Sequence, residues 1–253
     1  MRAVLRRAAR AWASWPLPRG PAVAVIGYHQ VNDGGGSLAV SPGTFATHLD
    51  VLCRERLCRP VLDLDDALSR LAAGTAPRRA VVVTFDDAWA DNYANAFGPL
   101  LEREIPVTLF APSRLLGTSD HMTRAQLLDA AAAGIVVGAH SRTHAALPAC
   151  SDAELEFEVR GSREDLEDLL GRPVTRFAYP VGLLDHRVRT AVAAAGFSSA
   201  VTTDRSWAQA DLDPLRIPRN IMEDLDAPTF AAALRGGLNY LRGADAVRAL
   251  LRR

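Results

Sequence analysis

The 253-residue sequence contains no lysine. All 29 of its basic residues are arginine, a bias read as codon composition rather than as a phosphate-binding surface, and 29 acidic residues cancel them to a net charge of 0. A neutral chain has no overall field to gather a polyanion, which argues against a nucleic acid partner. Cysteine is scarce: Cys53, Cys58 and Cys150 form no Cys-x-x-Cys and are odd in number, so neither a disulfide framework nor a cysteine zinc site is expected. Long apolar runs are missing, and none approaches the roughly 18 residues of a transmembrane segment. Arg2, Arg6, Arg7 and Arg10 ahead of residues 11–18 imitate a secretion signal, but that stretch is short and broken by Pro16 and Pro18. A cytoplasmic location is expected, with residues 1–17 as the one segment suited to touch a membrane surface. Repeats and low-complexity tracts are absent.

What remains is a chain with 49% hydrophobic and 23% charged residues, long enough to bury a core without staples. Short apolar runs alternate with helical patterns, as in βα units around a parallel sheet. Strands are expected at Ala22–Tyr28, Pro60–Leu64, Ala80–Phe85, Val107–Ala111, Ile135–Ala139, Arg176–Tyr179 and Phe197–Thr202. The run Ala80–Phe85 is the plainest, being nearly continuous, β-branched and suited to a strand covered on both faces. Helices are expected at Asp65–Ala73, Trp89–Arg103, Thr123–Ala133, Arg187–Ala195 and, behind a Ser151/Glu154 capping box, up to Leu170. About seven βα units in some 200 residues suit a small β/α barrel better than an open sheet. One domain is expected over residues 21–225, between an N-terminal extension (1–20) and a helical tail (226–253) with a break at Gly236-Gly237.

Three polar clusters fall just past the C-terminal ends of expected strands, where a barrel gathers its working loops. They are His29, the Asp86-Asp87 pair, and His140-Ser-Arg-Thr-His144. Two histidines four apart with a carboxylate from a neighbouring strand make a two-His, one-carboxylate set that suits a divalent metal and leaves a position for water. A second carboxylate beside it suits a base that takes the water's proton. Asp86 can instead be read as a cap on the helix at Trp89.

These stretches resemble the polysaccharide deacetylases of the NodB-homology type, which are metal-dependent carbohydrate esterases. Thr84-Phe-Asp-Asp87 is similar to the family's motif of base followed by metal ligand, and His140-Ser-Arg-Thr-His144 to the motif that supplies two more ligands. Phe177-Ala-Tyr-Pro-Val-Gly182 resembles the segment that lines the substrate groove and lends a backbone N–H to the oxyanion. Gly27-Tyr-His-Gln-Val31 is similar to the Tyr-His-x-Val segment of a branch linked to exopolysaccharide synthesis. The likeness runs from Tyr28 to Arg219. It implies a distorted (β/α)₇ barrel that removes acetyl groups from N-acetylhexosamine units, with Zn, or else Co, Mn or Ni, held by Asp87, His140 and His144. It also implies Asp86 as base and Tyr179, Pro180 and Val181 along the substrate groove; Trp89 and Tyr179, which flank the site, are expected to stack on sugar.

The chain departs from the family pattern at three places. Ala88 stands where a glycine is usual and would be strained at positive φ. Val181 replaces a ring, and Ala178 replaces an arginine that would partner Asp86. Arg219, in Ile217-Pro-Arg-Asn220, matches a downstream arginine of the branch and is expected to pair with Asp86 instead. No Leu-x-His segment near the C-terminus supplies a general acid, and His29 is expected to take that role because the first and last strands of a closed barrel are neighbours. His29 can also be read as satisfying backbone groups beneath the Gly34-Gly35-Gly36 loop. His48, in a helical pattern at Phe45-Ala-Thr-His-Leu49, reads as a surface histidine, and His121 and His186 as loop residues. Two rival functions share these residues: an amidohydrolase acting on a small amide, and a non-catalytic carbohydrate-binding or scaffold protein.

Overall fold

The run Ala80–Asp86 forms the central strand, β4, and every one of its residues is buried. In chain order the other strands are β1 (Val23–Tyr28), β2 (Gln30–Val31), β3 (Ala39–Val40), β5 (Val107–Ala111), β6 (Val136–Ala139), β7 (Arg176–Ala178), β8 (Ser199–Val201) and β9 (Asn220–Ile221). The computed structural model describes residues 20–54 and 60–234. Residues 1–17 with Trp12 and Trp15, and the expected Gly236-Gly237 break, lie outside the described residues.

Seven strands pair in the order β8-β7-β6-β5-β4-β1-β9, all parallel, while β2 and β3 form a separate small ladder. The segment leading into β9 closes the curl. Ile217 bridges to Val201 of β8, and three residues later Asn220 pairs with Ile26 of β1. The α/β barrel expected from the alternation is the fold, but the neighbour of β1 at the closure is β9, a short strand absent from the expected set, and not the expected last strand, which is β8.

Among the described residues seven α-helices surround the sheet: α1 (Pro42–Cys53), α2 (Leu64–Ala72), α3 (Phe97–Glu102), α4 (Arg124–Ala132), α5 (Asp152–Leu170), α6 (His186–Ala194) and α7 (Ala227–Ala232). All but α3 start at a side-chain cap: Ser41, Asp63, Thr123, Ser151, Asp185 and Asp226 each accept a first-turn N–H. The Ser151/Glu154 capping box is present, and Gly171 ends α5 at φ 64°. No helix among the described residues is long and apolar enough to cross a membrane.

Three expectations need correction. The segment expected as strand Pro60–Leu64 makes only a single bridge, Val61 to Val81. The helix expected from Trp89 begins with a wide turn at Asn92–Ala96 and becomes α-helical only at Phe97. The helical pattern around His48 is helix α1, which proline at N1 and the Ser41 cap start. His48, read as exposed, is fully buried on α1. Its Nε2–H donates to the Leu225 carbonyl at 2.7 Å, its Nδ1 accepts from the Tyr28 hydroxyl at 3.1 Å, and its ring stacks on Phe230 at 3.9 Å. Phe230 is itself buried, so α7 packs on the barrel.

Burial pushes His48 down to about 4. Unfolding releases it to an ordinary value near 6.5, so between these pH values the unfolded chain holds a proton that the folded chain lacks. Stability should therefore fall as pH drops from about 6.5 toward 4, with His48 contributing up to about 3 kcal/mol of the loss. In urea titrations at pH 4.5 and 7, His48→Gln should reduce the pH slope by about one proton; an unchanged slope would refute the assignment.

Candidate active site

Because the strands are parallel, their C-terminal ends share one rim, and His29, Asp86, Asp87, Trp89, His140, His144, Tyr179, Pro180 and Val181 lie at or within a few residues of a strand end there, while Arg219 reaches Asp86 from the start of β9. Asp86 closes β4, with Asp87 next to it. His29 follows β1, His140 follows β6, Tyr179 follows β7, and Arg219 immediately precedes β9.

Asp87 Oδ1 lies 3.5 Å from Nε2 of His140 and 3.5 Å from Nε2 of His144. One donor atom from each of the three residues falls within 4.8 Å of the others. His140 is buried, which lowers its pKa and favours the neutral ring. Its Nδ1–H donates to the Ala178 carbonyl at 2.8 Å, so Nε2 turns a lone pair toward a carboxylate oxygen. Two electron-rich atoms facing each other repel unless a cation sits between them. Tetrahedral coordination with bonds of about 2.0–2.2 Å separates donors by roughly 3.3–3.5 Å, so this donor set fits a divalent metal. The other Asp87 oxygen, Oδ2, accepts the Trp89 indole N–H at 3.0 Å. Trp89, expected as a stacking surface for sugar, is half-buried and lies against His121 at 4.6 Å.

Asp86 is 2% exposed and Arg219 is fully buried. They pair through both oxygens, Nη1 to Oδ1 at 2.6 Å and Nη2 to Oδ2 at 2.5 Å. Arg219 also donates to Thr84 Oγ1 and, through Nε, to the Thr202 carbonyl. Burial would raise the Asp86 pKa, but the Arg219 charge, followed by His140, holds it well below the usual carboxylate range. Asp86 is thus engaged by an arginine rather than capping a helix. Gly27 makes room for the pair: a Cβ there would meet Ile221 Cδ1 at 2.9 Å and Arg219 Cδ at 3.3 Å.

His29 Nε2 stands 3.8 Å from Asp86 Oδ2. Burial lowers the His29 pKa against the opposing pull of Asp86 and Asp87, and its Nδ1 is buried without a hydrogen-bond partner. The Asn92 amide donates to the His29 carbonyl at 2.6 Å and fixes the backbone.

Strain concentrates at this rim. Among the described residues six non-glycine residues have positive φ, and five of them are Asp87, Ala88, Ser141, His144 and Val181. The strain expected at Ala88 is present, at φ 53°. Valine at φ 59° is a pronounced outlier for a β-branched residue, and such conformations persist only where surrounding contacts impose them.

Tyr179 requires correction. It was expected to stack on sugar, but its ring is fully buried against Phe177 and its hydroxyl donates to the Leu215 carbonyl. Pro180 is buried too, and of this segment Val181 reaches solvent, at 63% exposure. Sequence reasoning missed Thr84 as an Arg219 partner and Trp89 as a donor to Asp87; no spacing signal marks either contact.

Residues 73–200, just over half of the chain, match the polysaccharide deacetylase family. The chain belongs to that family. It is accordingly a hydrolase acting on amide bonds, with a carbohydrate substrate. YxkH of Bacillus subtilis (strain 168), whose name places it in the same family, is 24% identical over 200 residues, 79% of this chain and 71% of YxkH. The deacetylase PplD of Streptococcus pyogenes superposes with a TM-score of 0.76 at 21% identity, over 83% of this chain and 96% of its own. BC0361, a polysaccharide deacetylase from Bacillus cereus, gives 0.74 at 25% identity, over 84% of this chain and 69% of its own.

Removing one member of a buried ion pair strands the other charge. Arg219→Met should cost about 3–5 kcal/mol in urea unfolding, and adding Asp86→Asn should recover most of it. A single variant as stable as the parent would show that the pair carries no such cost.

Proposed function

We propose that this hydrolase removes acetyl groups from N-acetylhexosamine units of an oligo- or polysaccharide, of the exopolysaccharide or cell-envelope kind, with a divalent metal, zinc foremost. The observation that carries the reading is the Asp87 carboxylate oxygen set 3.5 Å from two imidazole nitrogens, beside a second carboxylate paired with a buried arginine.

Asp87, His140 and His144 would hold the metal. When bound, it supplies Lewis acidity toward the acetyl carbonyl and lowers the pKa of water toward 7, which a base as weak as Asp86 requires. Asp86 takes the proton of the attacking water. Arg219 keeps that carboxylate ionised and aimed into the site, since both of its oxygens are bonded to one rigid guanidinium. His29 delivers a proton to the departing nitrogen. Neutral at rest because it is buried, His29 must first gain that proton, and Asp86 at 3.8 Å is placed to give it. A carboxylate held so acidic passes a proton on readily, so the proton taken from water is the one returned to the amine. The Val181 N–H serves the carbonyl oxygen, and Val181 with the edge of Trp89 borders the sugar.

The test is acetate release from N-acetylglucosamine oligomers, a lipid-linked glycan and acetylated xylan, with added Zn²⁺, Co²⁺ or Mn²⁺. Release is expected from the amide-bearing glycans and not from xylan; metal-loaded protein that frees no acetate from any amide would overturn the reading. His140→Ala and His144→Ala should each lose bound metal on dialysis. His29→Ala should keep its metal and fold while kcat on amides falls by at least about two orders of magnitude.

Trp89→Phe retains a ring against His121 but removes the donor to Asp87 Oδ2. It should weaken metal affinity by about 10–100-fold, read by chelator competition. Unchanged affinity would show that Asp87 needs no such orientation.

A further inference from the structure

The loop between the two histidines, residues 141–143, rests on one face of α5. Glu158 of α5 is 5% exposed, and its carboxylate is turned wholly to this loop. Oε2 accepts the Arg142 and Thr143 backbone N–H groups, each at 2.9 Å, and Oε1 accepts the Thr143 hydroxyl at 2.7 Å. One turn on, α5 carries Gly161, where a Cβ would overlap the Arg142 guanidinium. One further turn on, Asp165 binds that guanidinium through both oxygens at 2.9 Å, while Phe157 lies 4.4 Å beneath it. Residues 157, 158, 161 and 165 share one helical face, so a single rigid helix grips both the backbone and the side chain of this loop.

That grip has a purpose that core packing does not explain. Ser141 and His144, at either end of the loop, are both held at positive φ, near 60°. A chain relaxing out of two such conformations would swing the His144 imidazole away from Asp87. We propose that Glu158, backed by the Arg142 cradle, is a positioning residue that holds His144 in its strained, metal-competent orientation. The inference rests on the reading of Asp87, His140 and His144 as metal ligands and goes beyond it by assigning the ligand geometry to α5.

Substitutions at Glu158 separate this role from simple packing. Glutamine can accept both backbone N–H groups through its oxygen and donate its amide to the Thr143 hydroxyl, whereas alanine leaves two buried donors unpaired. Metal-free protein is titrated with Co²⁺, and affinity and visible absorption, which reports coordination geometry, are followed together. Glu158→Ala should bind Co²⁺ about 10–100-fold more weakly with an altered spectrum, and Glu158→Gln should stay within about threefold of the parent with its spectrum preserved. Glu164→Gln, exposed on the same helix, is the control and should match the parent. Gly161→Ala provides a second variant should Glu158→Ala not fold: it favours the helix, displaces Arg142 and should weaken Co²⁺ binding severalfold. Folded Glu158→Ala and Gly161→Ala proteins with parental affinity and spectrum would overturn the inference while leaving the metal site standing. Parent protein that binds no Co²⁺ would overturn both.

Discussion

The buried pair of Arg219 and Asp86 is the constraint on which the rest of the structure depends. Two charges removed from water are tolerable only when each is fully matched, and here both guanidinium forks meet both carboxylate oxygens. The partners lie 133 residues apart, one at the end of the central strand and the other on the segment that closes the barrel. That segment cannot leave the sheet without stranding a charge in the core. Barrel closure and the ionisation of Asp86 are therefore one interaction, and Thr84, Thr202 and Gly27 shape the space around it.

A second constraint acts through the backbone. Five strained residues ring the site, and each lies next to an element that has little freedom to move. Asp87 and Ala88 follow a strand paired on both sides. Ser141 and His144 flank the loop gripped by α5, and the Val181 carbonyl accepts the Thr203 hydroxyl. The barrel is thus stiff where the side chains must converge, which limits how far the donor atoms can drift apart.

Much of this was legible in the sequence because it rests on local pattern. The β-branched run at 80–85 can only be a strand covered on both faces, and residues that follow such strands reach the same rim by topology alone. The pairing of Arg219 with Asp86 was legible through the family resemblance: Ala178 stands where many members carry the arginine partner, and Arg219 matches a downstream arginine of the branch. Tyr179 and His48 were misjudged because their type is ambiguous. A tyrosine beside a site and a histidine on a helix can point to solvent or to the core, and tertiary contacts with Leu215, Tyr28 and Leu225 decided both. The orientation of Asp87 by Trp89 and the grip of Glu158 on residues 142 and 143 join groups whose spacing has no period to detect.

The three departures from the family pattern bear on whether the site is a working one. Ala88 at positive φ costs about 1–2 kcal/mol relative to a relaxed backbone. Its methyl group, fully buried, returns roughly 0.8 kcal/mol, and an alanine constrains the unfolded chain by a further 0.4–1 kcal/mol relative to glycine. The two sides nearly cancel, so the substitution leaves the turn intact. Ala178 contributes its carbonyl to His140, a task any residue performs, while the charge its side chain lacks comes from Arg219. Val181 loses a ring but keeps the backbone N–H on which the proposed oxyanion contact depends. Ala88 adds a methyl that the turn holds, Ala178 leaves its lost charge to Arg219, and Val181 keeps the backbone donor, so the departures leave the proposed proton and oxyanion contacts in place, which favours a site compensated for activity over one decaying into a binding surface.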